Sequence, residues 1–224
     1  MEPTLPLAQK LYFLSIRPEK GGISPQSYSA IDYIVLGALF MELYLQKKIK
    51  FKDKRIIVLT TNTEDELHRF LLLKMSQAKS PRKISRWINK FYFSLKYIRR
   101  EVQNGLVDSR LIRMEDRHFL FFRWKKPFVT NFQLLRNQEA EIRQMIRKGT
   151  HDEEALVLLS FLVPGGLLYR LFPDNKQRRE AKKRLKSMMV DNQVSSAIKD
   201  AIATAQAVAA SAAAASVAAS ATSQ

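Results

Sequence analysis

Between Ser27 and Gln46 apolar residues crowd every side of a helical pattern, among them Ile31, Ile34, Val35, Leu39, Leu43 and Leu45. A helix that is apolar all round must be wrapped by other elements, so this segment predicts a domain built about a central, buried helix. It is too short to cross a bilayer. The run Tyr33 to Met41 ends at Glu42, and a second run, Ala155 to Tyr169, is broken by Pro164-Gly165-Gly166, whereas a span takes about 20 apolar residues. The N-terminal stretch MEPTLPLAQK lacks a basic segment followed by an apolar core. We therefore expect a cytoplasmic protein with at most peripheral membrane contact.

The remaining elements fall into place around that helix. A first helix is expected from Leu5 to Ile16, and the breaker-rich stretch Pro18 to Pro25 reads as a loop. Lys48 to Leu59 alternates and then turns β-branched, which predicts a hairpin closing at Asp53-Lys54. Two helices follow, Thr63 to Gln77 and Ser80 to Gly105, the second opened by Ser80-Pro81 and carrying the stripe Ile88, Phe91, Leu95, Ile98, Val102. A second hairpin is expected to leave through Leu111 to Arg113, turn near Glu115-Asp116 and return from His118 to Trp124. Three or four further helices occupy Asn131 to about Ser211. The expected fold class is mostly α: a single globular helical domain over residues 1–207, with one or two protruding β-hairpins. Residues 208–224 form an Ala/Ser-rich low-complexity tail. With 13 Ala among residues 201–224, that segment has little with which to bury a face, and its packed part is expected to end near Ala207.

Charge narrows the partner. The chain carries 38 Lys and Arg against 21 Asp and Glu, a net +17, a field that concentrates polyanions. Residues 69–148 alone hold 20 Lys and Arg against Glu101, Asp108, Glu115, Asp116, Glu139 and Glu141. Chemistry is poorly represented by comparison. There is no cysteine, and His68, His118 and His151 form no metal-binding spacing. His151 is followed by Asp152, Glu153 and Glu154, acids that suit the positive end of a helix better than acid-base work. No glycine-rich phosphate loop is present. We expect no enzyme, no catalytic residue, no cofactor and no metal.

On the helix from Ser80, Arg82, Lys83, Arg86, Lys90, Lys96, Arg99 and Arg100 face a single acid, Glu101. At about 100° per residue Arg99 borders the apolar stripe while Lys96 and Arg100 lie farther round. Two cations at i and i+3 repel unless an anion bridges them, so Lys96 and Arg99 fit a phosphate clamp; the same spacing fits a solvated helix face equally well. The loop Gly21 to Tyr28 offers Ile23 and Tyr28 for shallow insertion at the head-group level. A helix followed by a basic hairpin also imitates a winged helix, which makes nucleic acid the alternative, less favoured partner.

An ordered set of stretches resembles the Golgi phosphoprotein 3 family over nearly the whole chain, from Leu5 to about Ala207. They are the early Leu-Tyr-Phe-Leu-Ser-Ile helix, Gly37 to Leu45 with a basic hairpin after it, Arg86-Trp87-Ile88, Ile98-Arg99-Arg100, Leu106-Val107, Phe119 to Phe122, and Leu168 to Asp174. The resemblance implies a mostly helical domain with protruding β-hairpins and peripheral binding to phosphatidylinositol 4-phosphate, as in family members that retain glycosyltransferases in the Golgi, so that protein cargo is an expected partner; it does not imply catalysis. It places two cations of the family's lipid pocket on Lys96 and Arg99; beside them we expect Arg86 and Arg100 of the basic helix, and Ser27 and Tyr28 of the loop, as further head-group contacts. The family's loop tryptophan falls on Ser27, and a third pocket cation falls on Leu36. Both departures imply weaker membrane binding. The chain looks like a bacterial-type member, beginning close to the first family helix. By the same resemblance the hairpin spanning residues 118–130 takes part in self-association, a homo-oligomer contact for which Phe119, Phe121 and Trp124 are available; core packing explains their alternation as well.

Overall fold

The computed structural model describes residues 5–190, and the alanine-rich tail with its predicted helix end near Ala207 lies outside them. Helix α1 (Leu7–Ser15) packs on α2 (Ile31–Leu45), the central helix predicted from its all-round apolarity. Twelve of the 15 residues of α2 are buried, and they include Glu42. Burying a carboxylate in such a helix requires partners. Glu42 accepts a hydrogen bond from the Ala8 backbone N–H at 2.7 Å and meets His68 Nε2, also at 2.7 Å. Burial on its own lowers the His68 pKa, but its bond to and charge attraction by Glu42 outweigh that and raise it.

Strands β1 (Ile49–Lys52) and β2 (Arg55–Val58) form the first predicted hairpin, closed at Asp53 and Lys54, both with positive φ. After α3 (Glu66–Ser76), a short strand β3 (Arg82–Lys83) adds to β2. The expected helix from Ser80 to Gly105 is thus divided into β3, α4 (Ile84–Phe91), a 3-10 turn (Tyr92–Ser94) and α5 (Leu95–Asp108). Ser80-Pro81 leads into a strand because the Arg55 guanidinium holds the Pro81 carbonyl beside β2.

The second hairpin is longer than expected. β4 (Ile112–Phe119) and β5 (Phe122–Val129) pair over eight residues each, and the chain reverses at Leu120-Phe121 rather than at Glu115-Asp116. The two acids sit mid-strand opposite Lys126 and Lys125, where opposite charges across an antiparallel pair are favourable. The chain continues through α6 (Phe132–Lys148), α7 (Glu153–Ser160), α8 (Leu168–Leu171) and α9 (Asn175–Val190). The Asp152 side chain caps α7 by accepting from Ala155 N–H at 2.7 Å, as the run of acids indicated.

A mostly α, or all-α, description with hairpins as appendages is therefore corrected. Helix makes up 56% and strand 15% of the fold, and the strands form two sheets, one of them three-stranded and anchored in the core by Ile49 and Ile56.

Candidate functional site

The N-terminal turn of α2 and the N-terminal half of α5 meet through one ion pair. Arg99 Nη1 donates to both Asp32 carboxylate oxygens at 3.1 Å. Asp32 lies in the first turn of α2, just after the turn that carries Tyr28, and Lys96 lies one helical turn before Arg99 on α5. Tyr28 is exposed, at 75% of its surface, and Lys96 is exposed as well. Arg99 is only partly so, its side chain 36% accessible beside Asp32. Burial raises the Asp32 pKa against the opposing pull of the guanidinium. Behind the pair, Tyr12 accepts a hydrogen bond from Gln103, and burial pushes its hydroxyl up to about 12.

Other predicted contacts are placed differently. Ser27 is fully buried; its hydroxyl accepts from Ser24 Oγ at 3.0 Å, and its carbonyl receives the N–H groups of Ala30 and Ile31 at the entry to α2. It shapes a turn and presents nothing to a surface. Arg100 binds Glu101 at 3.1 Å and lies over the Tyr97 ring at 5.4 Å. Arg86 is exposed but belongs to α4, beyond the 3-10 turn. Leu36 is fully buried in α2, so that position adds no cation. Asp32 is the member that local spacing could not reveal, because its partner lies 67 residues away.

The β4–β5 arm is the other candidate region. Its tip presents Phe119, Leu120, Phe121 and Phe122 to solvent, with Phe121 97% exposed, and Trp124 stands half-exposed behind them. Core packing, one reading of this aromatic alternation, is thereby excluded for the tip. Arg113, Arg117, Arg123, Lys125 and Lys126 line the strands against Glu115 and Asp116 alone. Glu115 is held by Arg113 and Arg117, each at 2.7 Å. At its base the arm is tied to the body where Gly22 N–H donates to the Pro127 carbonyl at 2.7 Å. Gly21, at φ +62°, leaves no room there for a Cβ, which would lie 2.6 Å from the Phe128 ring.

The family model described as Golgi phosphoprotein 3 (GPP34) matches residues 7–205. The chain belongs to the Golgi phosphoprotein 3 family. No curated protein matches it as a relative. As a Golgi phosphoprotein 3 family member it combines an exposed apolar tip with a strongly basic body, and among the described residues no helix is long and apolar enough to cross a membrane.

Proposed function

We propose that the protein is a peripheral membrane protein that binds anionic phospholipid head groups, with the β4–β5 tip entering the interface and cations of the body holding it there. The observation that carries this reading is the tip itself: four consecutive large apolar side chains, all exposed, at the end of a basic arm. Full burial of such a side chain is worth about 1.5–3 kcal/mol, and each Lys or Arg near an anionic leaflet adds about 1 kcal/mol. Several partial contributions of both kinds give reversible docking. Lys96 and Arg99 supply the head-group site in this reading, and a phosphoinositide such as phosphatidylinositol 4-phosphate, which the family resemblance implies, is its ligand. Asp32 tempers that site, since a phosphate has to share Arg99 with a carboxylate.

Self-association through the same arm is the competing use of the tip, but copies meeting there bring two arms of net positive charge into contact. An anionic bilayer turns that repulsion into attraction. Nucleic acid satisfies the charge and leaves the apolar tip without a role. Co-sedimentation with phosphatidylcholine vesicles, with and without phosphatidylserine or phosphatidylinositol 4-phosphate, tests the reading. Binding to anionic vesicles only is expected; equal retention in the supernatant with all three, alongside a salt-dependent shift of DNA, would overturn it in favour of nucleic acid.

A further inference from the structure

A second site lies away from both regions, where β2 loses its neighbour. Leu59 N–H donates to the Lys48 carbonyl at 2.8 Å, so in the β1–β2 register the backbone groups of Arg55, Ile57 and Leu59 face β1. Those of Ile56 and Val58 face the other flank. Ile56 is opposite Arg82, but β3 spans only Arg82 and Lys83. Among the described residues nothing hydrogen-bonds to Val58 on that side. The chain before Pro81 swings away and leaves a cleft of about 410 Å³, walled by Val58, Leu59, Met75, Ala78, Pro81 and Trp87.

The rim makes this more than a gap, because it is of one sign. Lys79 lines the cleft, no acid does, and Arg82 and Lys90 lie over the Trp87 ring at 5.6 and 5.1 Å.

An open strand edge, an apolar wall and a cationic rim together match an extended, acidic peptide. We propose that this cleft binds such a segment of a protein partner by strand addition to β2. The peptide backbone pairs with Val58, alternate apolar side chains enter the cleft and the carboxylates meet Lys79 and Arg82. The proposal does not rest on the lipid-binding reading.

The test is a titration of the full chain with the blocked peptide Asp-Val-Asp-Val-Asp, followed by amide and indole nuclear magnetic resonance. The chain has two tryptophans, so the indole signals are easily told apart. Saturable shifts of the Val58 amide and the Trp87 indole are expected, with the Trp124 indole unmoved. The same peptide N-methylated on alternate amides keeps its charge but cannot pair as a strand, and should bind at least tenfold more weakly. Lys79→Gln, checked for an otherwise unchanged amide spectrum, should weaken binding severalfold. Equal binding of the N-methylated peptide, shifts without saturation, or no shift at Val58 and Trp87 would each overturn the site.

Discussion

The two hairpins share a backbone plan and differ in what they put at the end. Each closes on a two-residue turn containing a positive φ, at Asp53 and Lys54 in one and at Leu120 in the other. The β1–β2 hairpin carries Lys48, Lys50, Lys52, Lys54 and Arg55, and its turn residues are polar. The β4–β5 arm is also basic but ends on Leu120 and Phe121 between two further phenylalanines. The first device is purely electrostatic, so salt should screen it within a Debye length of about 10 Å at 0.1 M. The second adds a term that salt does not remove. Net charge by itself does not distinguish them; the turn residues do.

Removing the apolar tip should have the largest effect. Leu120→Asp combined with Phe121→Asp is expected to weaken binding to phosphatidylserine vesicles about 100-fold, close to 3 kcal/mol, with the far-ultraviolet circular dichroism unchanged. Neutralising the other hairpin, with Lys52→Gln and Lys54→Gln, should cost about tenfold at low salt. Near 0.5 M salt that difference should vanish while the tip variant's deficit persists; matching salt dependences would erase the contrast between the hairpins.

Lys96→Ala with Arg99→Ala should lower affinity by only about fivefold, because Asp32 already offsets Arg99, but preference for phosphatidylinositol 4-phosphate over phosphatidylserine should go with it. Unchanged binding to every anionic lipid would remove the site. Asp32→Asn should have the smallest effect, a gain of about threefold at neutral pH. Its pKa is raised by burial against the pull of Arg99, so Asp32 takes up a proton at a higher pH than an ordinary aspartate. Below that point Arg99 is free for a phosphate, so the wild-type affinity rises as pH falls. The asparagine variant, followed by vesicle titration across the same pH range, should show a flatter profile.

How much of this was legible in the sequence follows from which interactions are local. The burial of α2, the Asp53-Lys54 turn and the Asp152 cap each rest on neighbours within a few positions, and each is found. The division of Ser80 to Gly105 was invisible because Ile88, Phe91, Leu95 and Ile98 keep a helical spacing straight through the 3-10 turn. Glu115-Asp116 resembled a turn because their lysine partners arrive only with β5. At the candidate site, Lys96 and Tyr28 are exposed as their positions suggested, whereas Ser27 is committed to the entry of α2 and Arg99 to an acid 67 residues away. A pairing of that separation leaves no trace in periodicity.

The absence of native cysteine allows each hairpin to report its own surroundings. Phe121→Cys and Lys54→Cys, each labelled with an environment-sensitive fluorophore, can be mixed with phosphatidylserine vesicles while bound protein is measured in parallel. The label at residue 121 should shift strongly to the blue and be quenched by lipid brominated on its acyl chains, and the label at 54 should stay in water. Protein bound to the vesicles with the residue 121 label still reporting water would contradict insertion of the tip.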